Sequence, residues 1–412
     1  MGYWSKLNYD ILGEIVLKLS TIEDFVYFSV VCRSWNCASS MVKQRWKPSM
    51  PCLLLAENNR ENPNFLREVI SLDNDDNKCY QLTLPETFEA RCWGSDCGWI
   101  VTIELNRQIH LFNPFTKARL QLPPQTTLPY QQLPLDDAIE DAICKRQASI
   151  RKAIVIKSDE PENEQDLLVL AIHTNWKRFL AFSRPGDQNW TKIHPPWPTE
   201  EERTPHYIVP FSHRAVDLVC RDGLVLILYE DASVGYVDIS DLVKIPNSQQ
   251  PVKAKEFLPS PESLKSRLTK YLLEMYLVES FGNLFMVHRD KTDIWVPDSK
   301  IDKDIGYETV GFEVFELNSE TKQWEEVEDL GNVALFLGDN HSMSVNALEC
   351  RNCKPNCIYF TDDYAEQWEL PAKFGGHDMG VFDVKNGEIH RFYEGDHVHS
   401  NVCTPFWFMP QF

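Results

Sequence analysis

Two groups of side chains in this sequence have the types and spacing to do chemistry. Cys350-x2-Cys353-x3-Cys357 sets three thiols close together, with His341 a short way upstream, and thiolates and imidazoles so spaced can hold zinc tetrahedrally. Cys357, however, opens an apolar run where cysteine serves as a small hydrophobe. Pro355 marks a turn between the last two thiols, and a triad without an obvious fourth ligand falls short of a closed site. Cys92-x4-Cys97 is a weaker pairing of the same kind. The second group is Asp362-Asp363 followed by His377-Asp378, carboxylates and an imidazole of the sort that work as general base and acid. The competing expectation is that Asp362-Asp363 caps the turn after a strand. No Gly-x-Ser-x-Gly elbow and no Gly-x4-Gly-Lys-Ser/Thr loop occurs, so neither acyl-transfer nor P-loop chemistry is expected. The expectation is a non-catalytic protein with no metal and no cofactor. Aromatic loops, Pro195-Pro196-Trp197-Pro198 and Tyr364 to Trp368, are better candidates for function, because aromatics often dominate protein interfaces.

Composition narrows the partners. The 412 residues are 43% hydrophobic and 12% aromatic, ample for a large core and against disorder. The formal net charge is −20, yet residues 1–50 carry +2, leaving −22 on the rest. So acidic a body repels phosphate backbones, and no nucleic-acid partner is expected. The longest apolar runs, Leu167 to Ile172 and Gly223 to Tyr229, are far shorter than the roughly 20 residues of a membrane span, so no membrane partner is expected either. Twelve scattered cysteines without an evident export signal point to a reducing compartment, cytoplasm or nucleus. Ile301 to Leu330 concentrates ten Asp/Glu against Lys303 and Lys322. That stretch reads as a solvated strand edge or, alternatively, a landing surface for a basic partner.

The elements that must position these groups fall into two classes. The first forty-odd residues read as three short helices. Ile11, Leu12, Ile15 and Leu19 form one wide apolar stripe at helical spacing. Ser20-Thr21 interrupts, and Glu23-Asp24 sit where acids complement the positive end of a new helix. Phe25, Phe28, Val31, Cys32 and Trp35 supply a second apolar face. So short a unit cannot bury that much apolar surface alone, which predicts a docking site for another protein.

Leu7-x2-Asp10-Ile11-Leu12-x2-Ile15-x3-Leu19, then Asp24-x3-Phe28-x2-Val31-Cys32-x2-Trp35, resembles an F-box. In that family the module plugs a substrate receptor into a cullin-based SCF ubiquitin ligase through the Skp adaptor. The resemblance implies adaptor contact by Leu7, Ile11, Leu12, Ile15, Leu19, Phe28, Val31, Cys32 and Trp35, with Ile15 and Phe28 expected to hold the helices together. Asn8 follows Leu7 where the family usually has proline. Proline presets the first helical turn, so its replacement is expected to loosen the helix start. The F-box is expected over residues 1–45, and Val42 to Pro51, Pro-bearing and free of Gly, reads as a stiff junction.

The remaining residues, 46–412, read as β-structure in repeating units: mainly β, most consistently a β-propeller, with a β-sandwich pair as runner-up. Five units are visible, beginning near Gly98, Lys152, Ala215, Tyr276 and Cys357. Asn189-Trp190-Thr191-Lys192-Ile193 and Gln323-Trp324-Glu325-Glu326-Val327 occupy matching places in two of them. Gly98-Trp99 with Asn113-Pro114-Phe115-Thr116, Phe312 to Leu317, Leu330 to Gly338, Cys353 to Asp363 and Gly380 to Val384 resemble the plant KIB-type F-box-associated domain. The combination implies a substrate-recognition subunit with three partners: the Skp adaptor, cullin through it, and an unknown protein substrate held on the propeller. Two rivals stand beside it: a propeller enzyme or small-ligand binder with a helical cap, and an F-box protein that sequesters its target without ubiquitination.

Overall fold

The structure is a computed structural model. It describes residues 4, 7–19, 22–43, 45–46, 50–55, 65–71, 79–129, 150–157, 167–173, 178–197, 214–244, 252–261, 273–295, 305–350, 352–363, 378–391 and 403–411. Three helices, α1 (Tyr9–Val16), α2 (Ile22–Val30) and α3 (Arg33–Val42), precede six sheets. Strands β1 (Cys52–Leu54), β2 (Leu66–Ser71) and β3 (Cys79–Thr83) make blade 1 together with the last strand, β26 (Phe406–Phe408). Blade 2 runs β4 (Arg91–Gly94), β5 (Ile100–Ile103), β6 (Ile109–Phe112) and β7 (Arg119–Leu122) from the inside outward. Blade 3 follows with β8 (Ile150–Lys157), β9 (Leu167–His173), β10 (Phe179–Ser183) and β11 (Thr191–His194), and β15 (Val252–Lys253) adds a parallel edge. Blade 4 is β12 (Ala215–Arg221), β13 (Leu224–Tyr229), β14 (Val234–Asp238) and β16 (Lys255–Leu258). Blade 5 is β17 (Leu273–Ser280), β18 (Asn283–Trp295), β19 (Ile305–Asn318) and β20 (Gln323–Glu326). Blade 6 has the order β22 (Met343–Asn346), β21 (Val333–Leu337), β23 (Cys357–Phe360), β24 (Gly380–Asp383) and β25 (Glu388–His390). The architecture is a mainly β, six-bladed propeller, as the sequence predicted, with one blade more than the five units legible in it.

Stacked blades bury both faces of each sheet, so their strands read as continuous apolar runs instead of alternating ones. In β9, Leu168, Leu170 and Ile172 enter the core shared with blade 4, whereas Leu167, Val169 and Ala171 enter the core shared with blade 2. Each neighbouring pair of blades encloses its own hydrophobic cluster, six in all among the described residues. Period-two geometry makes β26 the clasp of the ring. Trp407 lies between blades 1 and 6 against Phe336 and Tyr359, while Phe406 and Phe408 face Cys92, Ile100 and Phe112 of blade 2. The clasp fits only because Gly94 lacks a side chain: a Cβ there would stand 2.0 Å from the Trp407 carbonyl oxygen.

One turn recurs in three blades. Asn113, Asn318 and Asp383 each close the strand next to the outermost one, and each Oδ1 accepts hydrogen bonds from the amides two and three residues on. The residue four places on, Lys117, Lys322 or Gly387, has positive φ and donates its amide to the carbonyl of that Asn or Asp. Asn113-Pro114-Phe115-Thr116 is thus a turn, as its composition predicts. Trp190 and Trp324, the matched pair, sit at the outer strands of blades 3 and 5. The Trp190 Nε1 donates to the Pro123 carbonyl of blade 2.

Candidate functional site

The three helices share one small core. Leu12, Val16, Phe25, Phe28, Ala38 and Trp46 are buried in it, with Leu7, Ile15, Leu17, Leu19, Trp35 and Val42 packed around them. Phe25 meets Trp46 at 4.7 Å between ring centroids, and Phe28 stacks on Trp35 at 4.2 Å. The Trp46 Nε1 donates to the Leu19 carbonyl at 2.7 Å, tying the end of the module back to its first helix. Asn8 does not leave the helix start open. It is the N-cap of α1, and its side chain accepts a long 3.4 Å bond from the Asp10 amide, a role in which Asn is among the best residues.

This core leaves a great deal of apolar surface outside. Trp4, Tyr9, Ile11, Val26, Tyr27, Val30, Val31 and Met41 are all exposed, Tyr27 at 67% and Val30 at 72%. Helix α2 is apolar on two faces at once: Phe25 and Phe28 point inward, while Val26, Tyr27 and Val30 line the opposite side. A helix apolar all round is normally buried all round. Adjacent exposed apolar side chains of this number mark an interaction site.

The nine residues singled out from the sequence divide accordingly. Ile11 and Val31 are exposed, at 51% and 57%, and Leu7, Ile15, Leu19, Cys32 and Trp35 are half-buried. Leu12, at 0%, and Phe28, at 5%, lie inside the module, so the structure places Leu12 with the residues that hold the helices together. Val26, Tyr27, Val30 and Met41 escaped the sequence reading. Their signal was present, since positions 26, 27 and 30 form a second helical stripe beside the one through 25 and 28.

The side chains suspected of acid–base chemistry are absorbed in ion pairs. Arg289 of β18, wholly buried, donates through Nε to Thr309, through Nη1 to the Thr361 carbonyl and Asp363, and through Nη2 to the carbonyl and carboxylate of Asp378. Lys291 reaches Asp363 at 3.1 Å, and the Tyr276 hydroxyl donates to the same carboxylate. Burial pushes the Asp363 carboxyl up, but Lys291, Arg289 and the Tyr276 hydroxyl together hold it well below the usual carboxylate range. Asp378 is likewise held below its ordinary value: Arg289 and the Thr309 hydroxyl and amide outweigh its burial. Asp362 accepts from the Tyr307 hydroxyl at 2.6 Å. Carboxylates as firmly ionised as Asp363 and Asp378 are poor proton acceptors near neutrality. His377 lies outside the described residues.

Further ion pairs run along the inner strands: Arg151 with Glu274, Lys152 with Asp217, and Arg91 with Asp339 at 3.4 Å. In the last pair burial outweighs the attraction of Arg91, and the Asp339 carboxyl rises to about 7. Cys350, Cys353 and Cys357 are buried with Met50, Tyr359 and Trp407 in the core between blades 1 and 6. Burial keeps the Cys357 thiol protonated, near 11. Trp197, from the Pro-rich loop, packs edge-on against Tyr229, whereas residues 364–368 lie outside the described residues.

Comparison with known proteins agrees with both regions. A family model described as the F-box domain matches residues 4–47, and one described as the KIB1-4 beta-propeller matches residues 69–383. Among curated relatives from Arabidopsis thaliana, the F-box protein At5g55150 is 24% identical over 99% of this chain and 97% of its own length. The F-box protein At2g17690 is 21% identical over 98% and 99% of the two chains. The F-box protein SKIP23 is 23% identical over 94% and 90%. Helices matched as an F-box and a propeller match spanning most of the length establish that this chain belongs to the F-box proteins that carry a KIB1-4 beta-propeller.

Proposed function

We propose that this protein is the substrate-recognition subunit of an SCF-type ubiquitin ligase. An F-box implies docking to a Skp1-type adaptor. Through that adaptor the chain would join a cullin, and the propeller would hold a target protein for ubiquitination. The receptor itself would do no chemistry: the best acid–base candidates are committed to ion pairs. The observation that carries the reading is the outward face of α2, where Val26, Tyr27 and Val30 stand exposed on a helix whose other face is already buried. Covering each of the larger side chains contributes about 1.5–3 kcal/mol. A cytoplasmic or nuclear location follows from the same reading, since that is where adaptor and cullin would be met.

The test is co-purification of the full chain with a Skp adaptor and a cullin, beside a Tyr27→Asp/Val30→Asp variant. Both side chains are exposed, so the propeller should keep its melting temperature. Capture by the wild type should fall at least about 100-fold in the variant, from roughly 3 kcal/mol of lost burial. Equal capture of both would refute docking through this face. A charge at Leu12 would be a poorer test, because it would be buried in the helical core.

A further inference from the structure

Blades 4 and 5 do not meet along their full height. At the end of the ring that carries the β12–β13, β17–β18 and β19–β20 turns, a cleft of about 610 Å³ opens between them. Its floor is apolar, with Leu224 and Phe257 from blade 4 and Leu317 and Val327 from blade 5. Its rim is acidic: Asp222, Glu320 and Glu325 are exposed, and Glu316 is half-buried. Two cations also line it. Arg221 is already engaged, donating to the Gly282 carbonyl at 2.7 Å and pairing with Asp222 at 3.3 Å. Lys322 stands against seven Asp/Glu in residues 311–330.

An acidic edge strand alone resists aggregation and needs no ligand. The turn at the lip goes further. Positive φ at both central residues of a two-residue hairpin is the signature of a type I′ turn, which Asn-Gly and Asp-Gly fill best. Blade 4 follows that preference with Asp222-Gly223, at φ 50° and 76°. The equivalent turn of blade 5 has Phe281-Gly282, at φ 50° and 88°, and the Phe281 side chain is 66% exposed. A bulky side chain is disfavoured in this backbone region, and in this turn an exposed ring gains nothing in the isolated protein. Local strain kept at an exposed aromatic beside a cleft is a feature of binding sites.

We propose that the blade 4–5 cleft, with Phe281 on its lip, binds an extended peptide segment of a protein partner that alternates Lys or Arg with apolar side chains. The acidic rim takes the cations, the apolar floor takes the side chains between them, and Phe281 covers the segment where it leaves. A second copy of this chain is a poor occupant, because it brings the same −22 body, and nucleic acid is repelled for the same reason. Naming that partner a ubiquitination target rests on the receptor reading above, whereas binding of the peptide does not.

The experiment is fluorescence anisotropy on the purified full chain with a labelled peptide of repeated Lys-Leu-Arg-Leu units. Controls replace the basic residues by Glu or the Leu by Ser. The Lys-Leu-Arg-Leu peptide should bind saturably in the micromolar range, weaken steeply from about 50 to about 300 mM salt, and lose about tenfold or more with either control. Glu320→Lys/Glu325→Lys should weaken binding by about tenfold and Phe281→Asn by severalfold, with the melting curve unlowered in each case. Absence of saturable binding to folded wild-type chain overturns the proposal. So does equal affinity for the Ser-containing peptide, or indifference to the two lysine substitutions, since either would mean diffuse attraction to an acidic surface. Adaptor capture measured on the same preparation reports separately on the receptor reading.

Discussion

The helical module and the propeller solve the problem of apolar surface in opposite ways. The propeller divides its hydrophobic residues among six clusters in the described residues, each sealed between two blades, and closes the ring so that every blade has a neighbour on both faces. The module gathers six buried residues into a single cluster and leaves eight large apolar side chains outside. One region is finished by folding, and the other is finished only by a partner. The difference extends to the kind of recognition each region can offer. The module presents shape and hydrophobicity with a net charge near neutral, and the propeller presents a strongly acidic exterior broken by a cleft.

The contrast breaks most sharply where the ring is clasped. Trp407→Ala removes the ring that fills the core between blades 1 and 6 and should cost about 3–5 kcal/mol. The propeller's melting transition should drop by many degrees while adaptor capture by the helices persists. If capture falls in parallel, the two regions are one cooperative unit and the comparison fails.

Titration sharpens the contrast next. Asp363 and Asp378 are held below their unfolded value near 3.8, so their contribution is present above that value and is lost as the pH falls beneath it. Asp339 is raised to about 7, so its contribution is present below 3.8 and is lost as the pH rises from there through 7. From these three groups the propeller should therefore be most stable near their shared unfolded value of 3.8 and lose stability as the pH rises from there through about 7. Asp339→Asn should flatten the upper limb and leave the acid limb in place, as read by thermal melts across that window. Adaptor docking, expected to rest chiefly on apolar contacts, should be far less sensitive to pH.

The smallest effect concerns the strained turn. Phe281→Asn should stabilise the isolated propeller by about 0.5 kcal/mol, because Asn tolerates positive φ, while weakening the cleft. A variant that gains stability and keeps full peptide affinity would leave the aromatic without a role.

Much of this molecule was legible in the sequence, and the gaps have physical causes. The F-box spacing and the strand-turn-strand units of blades 2 to 6 could be read because their signals are local. Blade 1 could not, since its strands come from opposite ends of the chain, and Phe406-Trp407-Phe408 is too short to read as a strand without its partner Cys52–Leu54. The repeated turn at Asn113, Asn318 and Asp383 was recognised only at its first occurrence, because its recurrence lies in backbone geometry and the intervening residues differ. On α2 the buried stripe was credited with docking and the exposed one overlooked, since periodicity finds apolar faces but does not say which of two faces inward. Asp362-Asp363 could be entertained as an acid–base candidate because the cations that pair with Asp363, Arg289 and Lys291, lie some 70 residues away in sequence.

The clasp also sets an order of events during synthesis. The helical module is complete once Trp46 has emerged, but the ring has no sixth interface until β26 pairs with β1. At about 5–20 residues per second, roughly 20 to 70 s separate the two. In the receptor role proposed above, the nascent chain could for that interval engage an adaptor while its ring is still open. If the proposed receptor role holds, a ribosome that stalls late would release a protein that occupies the adaptor and delivers nothing to it.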